Sequence, residues 1–190
     1  AAKNIILIGD HMQLPQPSNS AVDDQNKASL SPIEYIMEEK NTIDDKVGIF
    51  LNRSYRMHSN INNFISENFY ENRLISDEAN DKQNILIGPK KINGIHLIDL
   101  NHKDSSVESE TESEYIKIIY NQLIGKSWID KNDSKKIITE DDILVITPYN
   151  AQVINIKNKL HSNSKVGTVD MFQGQEAPIV LASYTTSSPE

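Results

Sequence analysis

Between Val166 and Ser188 the chain reads VGTVDMFQGQEAPIVLASYTTSS, a strand, a polar turn and a second strand rich in Val, Ile and Leu. The turn carries Thr168, Asp170, Gln173, Gly174, Gln175 and Glu176, more hydrogen-bonding groups than a simple reversal uses. Open α/β sheets place their ligand sites at the carboxyl ends of the strands, so a buried strand ending in such a cluster predicts that class of sheet and a site beside it. A polar loop closed by an Asx-turn reads the same way when taken alone.

The rest of the chain supplies the partners such a sheet needs. Asn4 to Ile8 is a short apolar run that stops at Gly9-Asp10 and predicts a buried strand. Ser31-Pro32 offers an N-cap and a proline at N1, with Ile33, Ile36 and Met37 on one face of a short helix. Gly48 to Leu51 predicts a strand, and Ile61, Phe64, Ile65, Phe69 and Tyr70 recur at helical spacing behind a cap at Ser59 or Asn60. Residues 72–89 read as irregular and Gly94 to Leu100 as a strand. A helix from Glu112 to Gly125 would bury Tyr115, Ile118, Ile119 and Leu123 and end on glycine. Asp142 to Thr147 is the next strand, followed by a helix from Ala151 to Leu160 with Val153, Ile156 and Leu160 inward. Strands alternating with helices predict an α/β fold, a mostly parallel sheet with helices on both faces.

Composition narrows the class without choosing the partner. The 190 residues include no cysteine, which excludes disulfides and cysteine-based zinc sites and fits a cytoplasmic protein. No apolar run is long enough to span a membrane. The five histidines are scattered, and no metal site made by protein ligands alone is read. The formal net charge of -8 argues against a phosphate-rich partner, but much of the excess lies in Asp104 to Glu114 (DSSVESETESE), read as a solvated loop running into a helix N-terminus.

Four segments in order then carry a resemblance: LIGDHMQLPQP from Leu7 to Pro17, SYRMHSNINNFISENFY from Ser54 to Tyr70, ILVITPYNAQ from Ile143 to Gln152, and VGTVDMFQGQE from Val166 to Glu176. Together they resemble superfamily 1B helicases of the nonsense-mediated-decay branch, with a texture closest to bacterial proteins that fuse this motor to a RecB-like nuclease. The resemblance implies a RecA-like P-loop NTPase fold and a second motor lobe. Residues 1–17 would close the first lobe, 18–47 would form a connector with a short helix, and 48–190 would be the second lobe, ending before the family's final motif. ATP with Mg2+ would lie between the lobes, held mainly by the first, and single-stranded DNA or RNA would cross both. The implied partners are that first lobe, the nucleic acid and a fused nuclease domain, with no membrane.

The resemblance also implies roles. Gln13 would sense the γ-phosphate, with Gly9 and Asp10 shaping its turn; a solvent-facing loop glutamine is the plain alternative. Tyr55 would lie against the adenine ring and Arg56 on the γ-phosphate, a task suited to a rigid guanidinium fork; a core tyrosine and a surface ion pair are the alternative. Glu176 would accept from the ribose and Gly174 would allow close approach to the nucleotide. Thr168 would meet the nucleic-acid backbone, with Asp170 and Gln173 bracing the loop between the two ligands. Thr147, Pro148, Tyr149 and Gln152 fall where relatives touch the strand, although a Thr-Pro step is equally a plain strand-to-helix turn. Neither a GxxxxGK[ST] phosphate loop nor a DExx magnesium pair is expected in the chain, so the isolated polypeptide should not turn over ATP. A non-catalytic RecA-like module that holds nucleic acid or a protein is the rival reading.

Overall fold

The computed structural model describes residues 3–13, 30–38, 40–101 and 105–186. They fall into two compact units, Ala1–Glu78 and Ala79–Glu190.

In the first unit the short helix α1 spans Pro32–Met37 and is capped as the sequence predicts. Ser31 Oγ accepts from the Glu34 amide at 3.2 Å, and Glu34 Oε2 accepts from the Ser31 amide at 2.6 Å, a reciprocal capping box. Met37 is the buried residue of this helix, while Ile36 is exposed. Strand β1 (Arg53–Ser54) pairs in parallel with β2 (Ile75–Ser76), and helix α2 (Ser59–Phe69) runs between them. Its cap is His58, one residue earlier than expected, whose Nδ1 accepts from the Asn60 amide at 3.1 Å.

The face that α2 buries is also a correction. Asn62 and Ser66 are buried, whereas Phe64 and Phe69 are exposed. The reason is the backbone that α2 covers: Asn62 Nδ2 donates to the Leu74 carbonyl at 2.9 Å and the Leu74 amide donates to Ser66 Oγ at 3.0 Å. Packing against an unpaired peptide group rewards hydrogen-bonding side chains over apolar ones. Two expected strands are absent. Residues 4–8 and 48–51 belong to no strand among the described residues, and Ile8 and Ile49 are 88% and 86% exposed.

The second unit holds the core. Strands β7 (Ile143–Ile146), β8 (Lys165–Gly167) and β9 (Ile179–Ala182) form a parallel sheet in the order β8-β7-β9. The central β7 is buried on both faces, which suits its unbroken apolar run. Helices α3 (Glu110–Leu123) and α4 (Asn150–Lys157) pack with it through Ile116, Tyr120, Leu123, Val153 and Ile156. Of the residues expected inward, Leu123 is buried and Ile119 packs against the core, whereas Tyr115 and Ile118 are exposed and Ile116 and Tyr120 are buried in their place. Gly125 follows the helix with φ 79°, the left-handed conformation that a glycine cap takes most easily.

Alongside lies an element the alternation of strands and helices does not reveal. Strands β3 (Asn84–Ile87), β4 (Lys90–Ile92), β5 (Ser127–Ile129) and β6 (Lys135–Ile137) form an antiparallel sheet in the order β4-β3-β5-β6. It closes on the core through Ile85 and Trp128. Residues 94–100, expected as a strand, belong to no strand among the described residues, and Leu97 is 90% exposed. The fold class nonetheless stands: α/β, with parallel sheets and packed helices of the RecA-like kind. Among the described residues no helix is long and apolar enough to cross a membrane.

Two predictions follow from this packing. Ile156 is fully enclosed between α4 and the parallel sheet, so Ile156→Ala should lower stability by about 2–5 kcal/mol, read as a lower urea midpoint with an unchanged slope. Lys159 Nζ lies 2.5 Å from Glu110 Oε1 and 2.7 Å from Glu114 Oε1, which raises the lysine and holds Glu114 below the usual carboxylate range. A lowered carboxylate stabilises the fold above its ordinary value of 4.5 and loses that contribution as pH falls through its folded value. A raised lysine contributes fully below 10.5 and loses its share as pH rises through the folded value. The stability gap between wild type and Lys159→Met should therefore be flat between those limits and close on acidification, which urea midpoints at several pH values would test.

Candidate nucleotide and nucleic-acid sites

In the first unit the segment around Gly9 and Asp10 is organised by one carboxylate. Asp10 Oδ1 accepts from the Met12 amide at 3.1 Å, and Oδ2 accepts from Gln13 Nε2 at 2.9 Å and from Tyr70 Oη at 2.6 Å. The Gln13 amide closes the turn on the Asp10 carbonyl at 3.3 Å, and Gln13 itself is exposed. His11 Nε2 meets the Lys40 carbonyl at 3.0 Å. Leu14 to Pro17 lie outside the described residues.

Tyr55 and Arg56 follow β1 directly, in the short loop between its carboxyl end and the cap of α2. Both are exposed, Tyr55 at 63%, so the tyrosine is not a core residue. The loop is fixed from below, with the Met57 amide on Ser54 Oγ at 3.4 Å and Ser76 Oγ donating to the Met57 carbonyl at 2.7 Å. An aromatic face beside a guanidinium at the end of a parallel strand is chemically suited to a purine ring and a phosphate. The letters of a DExx pair do occur once, at Asp77-Glu78 after β2, contrary to the expectation that the chain has none. Asp77 is engaged there by Arg53 at 3.2 Å. Among the described residues no group of three His, Asp or Glu is close enough to hold a metal ion.

In the second unit three strands end together. Thr147 follows β7, Thr168 follows β8 and Ser183 follows β9, and the Thr147 amide donates to the Gly167 carbonyl at 3.2 Å. Thr147 is buried, and its hydroxyl meets no partner among the described residues. Pro148 is exposed, and Tyr149 is the half-buried cap of α4. Beyond Thr168 a 3-10 turn at Asp170–Phe172 leads to exposed Gln173, to Gly174 with φ 79° and to exposed Glu176. Because β9 runs parallel to β8, this loop crosses from the carboxyl end of one strand to the amino end of the next. Thr147 and Thr168 therefore share an end of the sheet, whereas Glu176 belongs to the start of β9.

Gln152, expected against nucleic acid, is placed otherwise. It is 0% exposed. Its Oε1 accepts from the Ser109 amide at 2.9 Å, and its Nε2 donates to the Ser109 carbonyl at 3.2 Å and to Ser183 Oγ at 2.9 Å. Ser183 Oγ in turn donates to Glu112 Oε2 at 2.5 Å, and the Glu112 carboxylate accepts the Thr185 amide at 3.0 and 3.1 Å. Thr185 holds φ 66°, an unusual conformation for a β-branched residue, with its hydroxyl on the Ser106 carbonyl at 2.9 Å. Gln152 is thus a brace that ties the start of α4 to Ser109 and to the end of β9, and part of the acidic run is drawn into the structure instead of being solvated. Sequence reasoning missed Glu112 and Ser109 here, although Ser-Glu-Thr-Glu from Ser109 carries the S-x-x-E signature of a helix start. It also missed Gly167, where a Cβ would stand 2.6 Å from Met171 Sδ and 3.0 Å from Phe172 Cε2, so a larger residue would require those two side chains to shift.

Residues 29–190 match the family described as the AAA domain. The chain belongs to that family. Among similar proteins, the DNA polymerase alpha-associated DNA helicase A of Schizosaccharomyces pombe is 29% identical over 198 residues, covering 97% of this chain and 29% of the relative. Helicase sen1 of the same organism is 29% identical over 203 residues, covering 98% and 11%. Its DNA replication ATP-dependent helicase/nuclease dna2 is 25% identical over 214 residues, covering 98% and 15%. The AAA domain described here thus spans less than a third of each of these relatives.

The brace makes a stability prediction. Gln152→Ala would take the partner from the buried Ser109 amide, while the Ser109 carbonyl keeps the Ser113 amide at 3.1 Å, at a cost of about 1–3 kcal/mol for the amide left unpaired. Urea unfolding would register it, and an unchanged midpoint would contradict the arrangement.

Proposed function

We propose that this AAA domain serves as the second motor lobe of an ATP-dependent helicase or translocase on single-stranded nucleic acid. The observation that carries the proposal is the position of the exposed pair Tyr55 and Arg56, adjacent in sequence at the carboxyl end of the parallel strand β1. The helicase names of the relatives support it.

In this reading Tyr55 stacks on the base, Arg56 stabilises charge developing on the γ-phosphate, and Gln13 addresses the same phosphate or the water that attacks it. Gly9 and Asp10 shape the Gln13 turn, and the nucleotide-contact roles of Gly174 and Glu176 belong to the same reading. Mg2+ and the β-phosphate would be held mainly by a first lobe, since the sequence contains no GxxxxGK[ST] loop. The isolated chain is then inactive. Pro148, Tyr149, Thr168 and Gln173 form the nucleic-acid side; Thr147, expected there too, is buried at the end of β7 and supports the turn instead. Domain limits at 17 and 47, a cytoplasmic setting, the nonsense-mediated-decay branch and a fused nuclease belong to the same reading; the helicase/nuclease name of one relative favours the last.

The test is single-stranded-DNA-stimulated ATP hydrolysis by the polypeptide that carries this chain, wild type beside Arg56→Ala. Loss of an arginine that stabilises the transferring phosphoryl group should cut kcat by roughly 10³–10⁵-fold. Unchanged hydrolysis would refute the role of Arg56, and DNA binding without any hydrolysis in wild type would favour the non-catalytic module.

A further inference from the structure

The hydroxyl of Tyr70 is the one contact of the Gln13 turn that comes from the far end of α2. We propose that Tyr70 is a positioning residue for Gln13, acting through Asp10, and that it makes Gln13 an acceptor toward the attacking water. The proposal rests on the reading that Gln13 faces the reacting phosphate.

The chemistry of Asp10 sets the direction of the amide. A carboxylate only accepts, so the end of Gln13 that meets Oδ2 at 2.9 Å is its NH₂ group, and the carbonyl oxygen Oε1 is left as the end that can address a ligand. An acceptor suits the proton of a nucleophilic water, whereas a donor would suit the phosphate oxygens. The same Oδ2 takes the Tyr70 hydroxyl at 2.6 Å, which prevents the carboxylate from turning and releasing the amide. Burial and the neighbouring Asp10 push the Tyr70 hydroxyl well above its ordinary range, so it remains a donor at neutral pH.

Tyr70 is itself held from behind. Its ring lies 6.0 Å from the Phe50 ring, tilted by 42°, and the Arg73 guanidinium covers Phe50 at 4.9 Å. Arg73 in turn donates to Thr42 Oγ1 and the Ile43 carbonyl, both at 2.9 Å, and to Asp45 Oδ1 at 2.7 Å. The turn from Tyr70 to Arg73 therefore grips the chain on both sides of residues 14–39: Asp10 before them, Thr42 to Asp45 after them. If Gln13 closes the first lobe and α2 belongs to the second, the Tyr70–Asp10 bond is a tie between lobes that sets Gln13 only while it is made.

The test is a double-mutant cycle on single-stranded-DNA-stimulated ATP hydrolysis in the polypeptide carrying this chain, with wild type, Gln13→Ala, Tyr70→Phe and the double variant. Tyr70→Phe should lower kcat roughly 10- to 100-fold, the loss expected for a hydrogen bond to a charged group, with KM for ATP nearly unchanged. In the Gln13→Ala background the same substitution should cost nothing further, because there is no amide left to position. A residue with only a structural role would lower the urea midpoint and multiply its loss with that of Gln13→Ala, and either result overturns the proposal. If Gln13→Ala is costly while Tyr70→Phe is harmless, the tie alone is refuted; if Gln13→Ala is harmless, the role of Gln13 falls with it.

Discussion

The amide of Gln152 is spent entirely inside the second unit, and three elements depend on it. By accepting the Ser109 amide and donating to its carbonyl, it pairs with that residue as a neighbouring strand would. Its remaining hydrogen goes to Ser183, which passes the connection to Glu112. The start of α3, the start of α4 and the end of β9 are thereby one polar unit. A buried glutamine is tolerable only when fully paired, and such networks lose much of their value when one member is missing. Here every group of the amide is used, and α4 starts from that fixed base.

Much of the scaffold was legible in the letters. Ser31-Pro32 with Glu34 is a cap that local chemistry determines, and it formed as read. The unbroken run at β7 implied burial on both faces, and Gly125 ended α3. The face of a helix is harder. In α3 the apolar residues crowd two adjacent stripes, and the choice of Ile116 and Tyr120 over Tyr115 and Ile118 follows from where Glu112 must stand to reach Ser183 and Thr185. That is a tertiary requirement, with no trace in helical periodicity.

The strands show the same limit more plainly. Residues 4–8, 48–51 and 94–100 are rich in Ile and Leu, yet they belong to no strand among the described residues. Apolarity states that a segment gains by burial and leaves its partner unspecified, since a strand exists only as half of a pair. Conversely, β4 and β6 begin with paired lysines and would not be chosen on apolarity. They are strands because β3 and β5 offer them register, with Trp128 taking Lys136 across its face at 5.3 Å.

For the candidate site the deciding property is exposure, which residue type alone does not carry. Tyr55 and Gln152 were read alike as ligand contacts from the segments in which they stand. Tyr55 follows β1 at its carboxyl end and is exposed. Gln152 sits on the third position of α4, on the side that meets α3 and β9, and the packing there demands an amide regardless of any ligand. A polar residue in a binding motif can therefore be required by the floor beneath the site as strictly as by the ligand above it. Asp10 shows how the two demands combine: one oxygen receives both the fixed Tyr70 and the exposed Gln13, so the support and the contact are orders of the same hydrogen-bond chain.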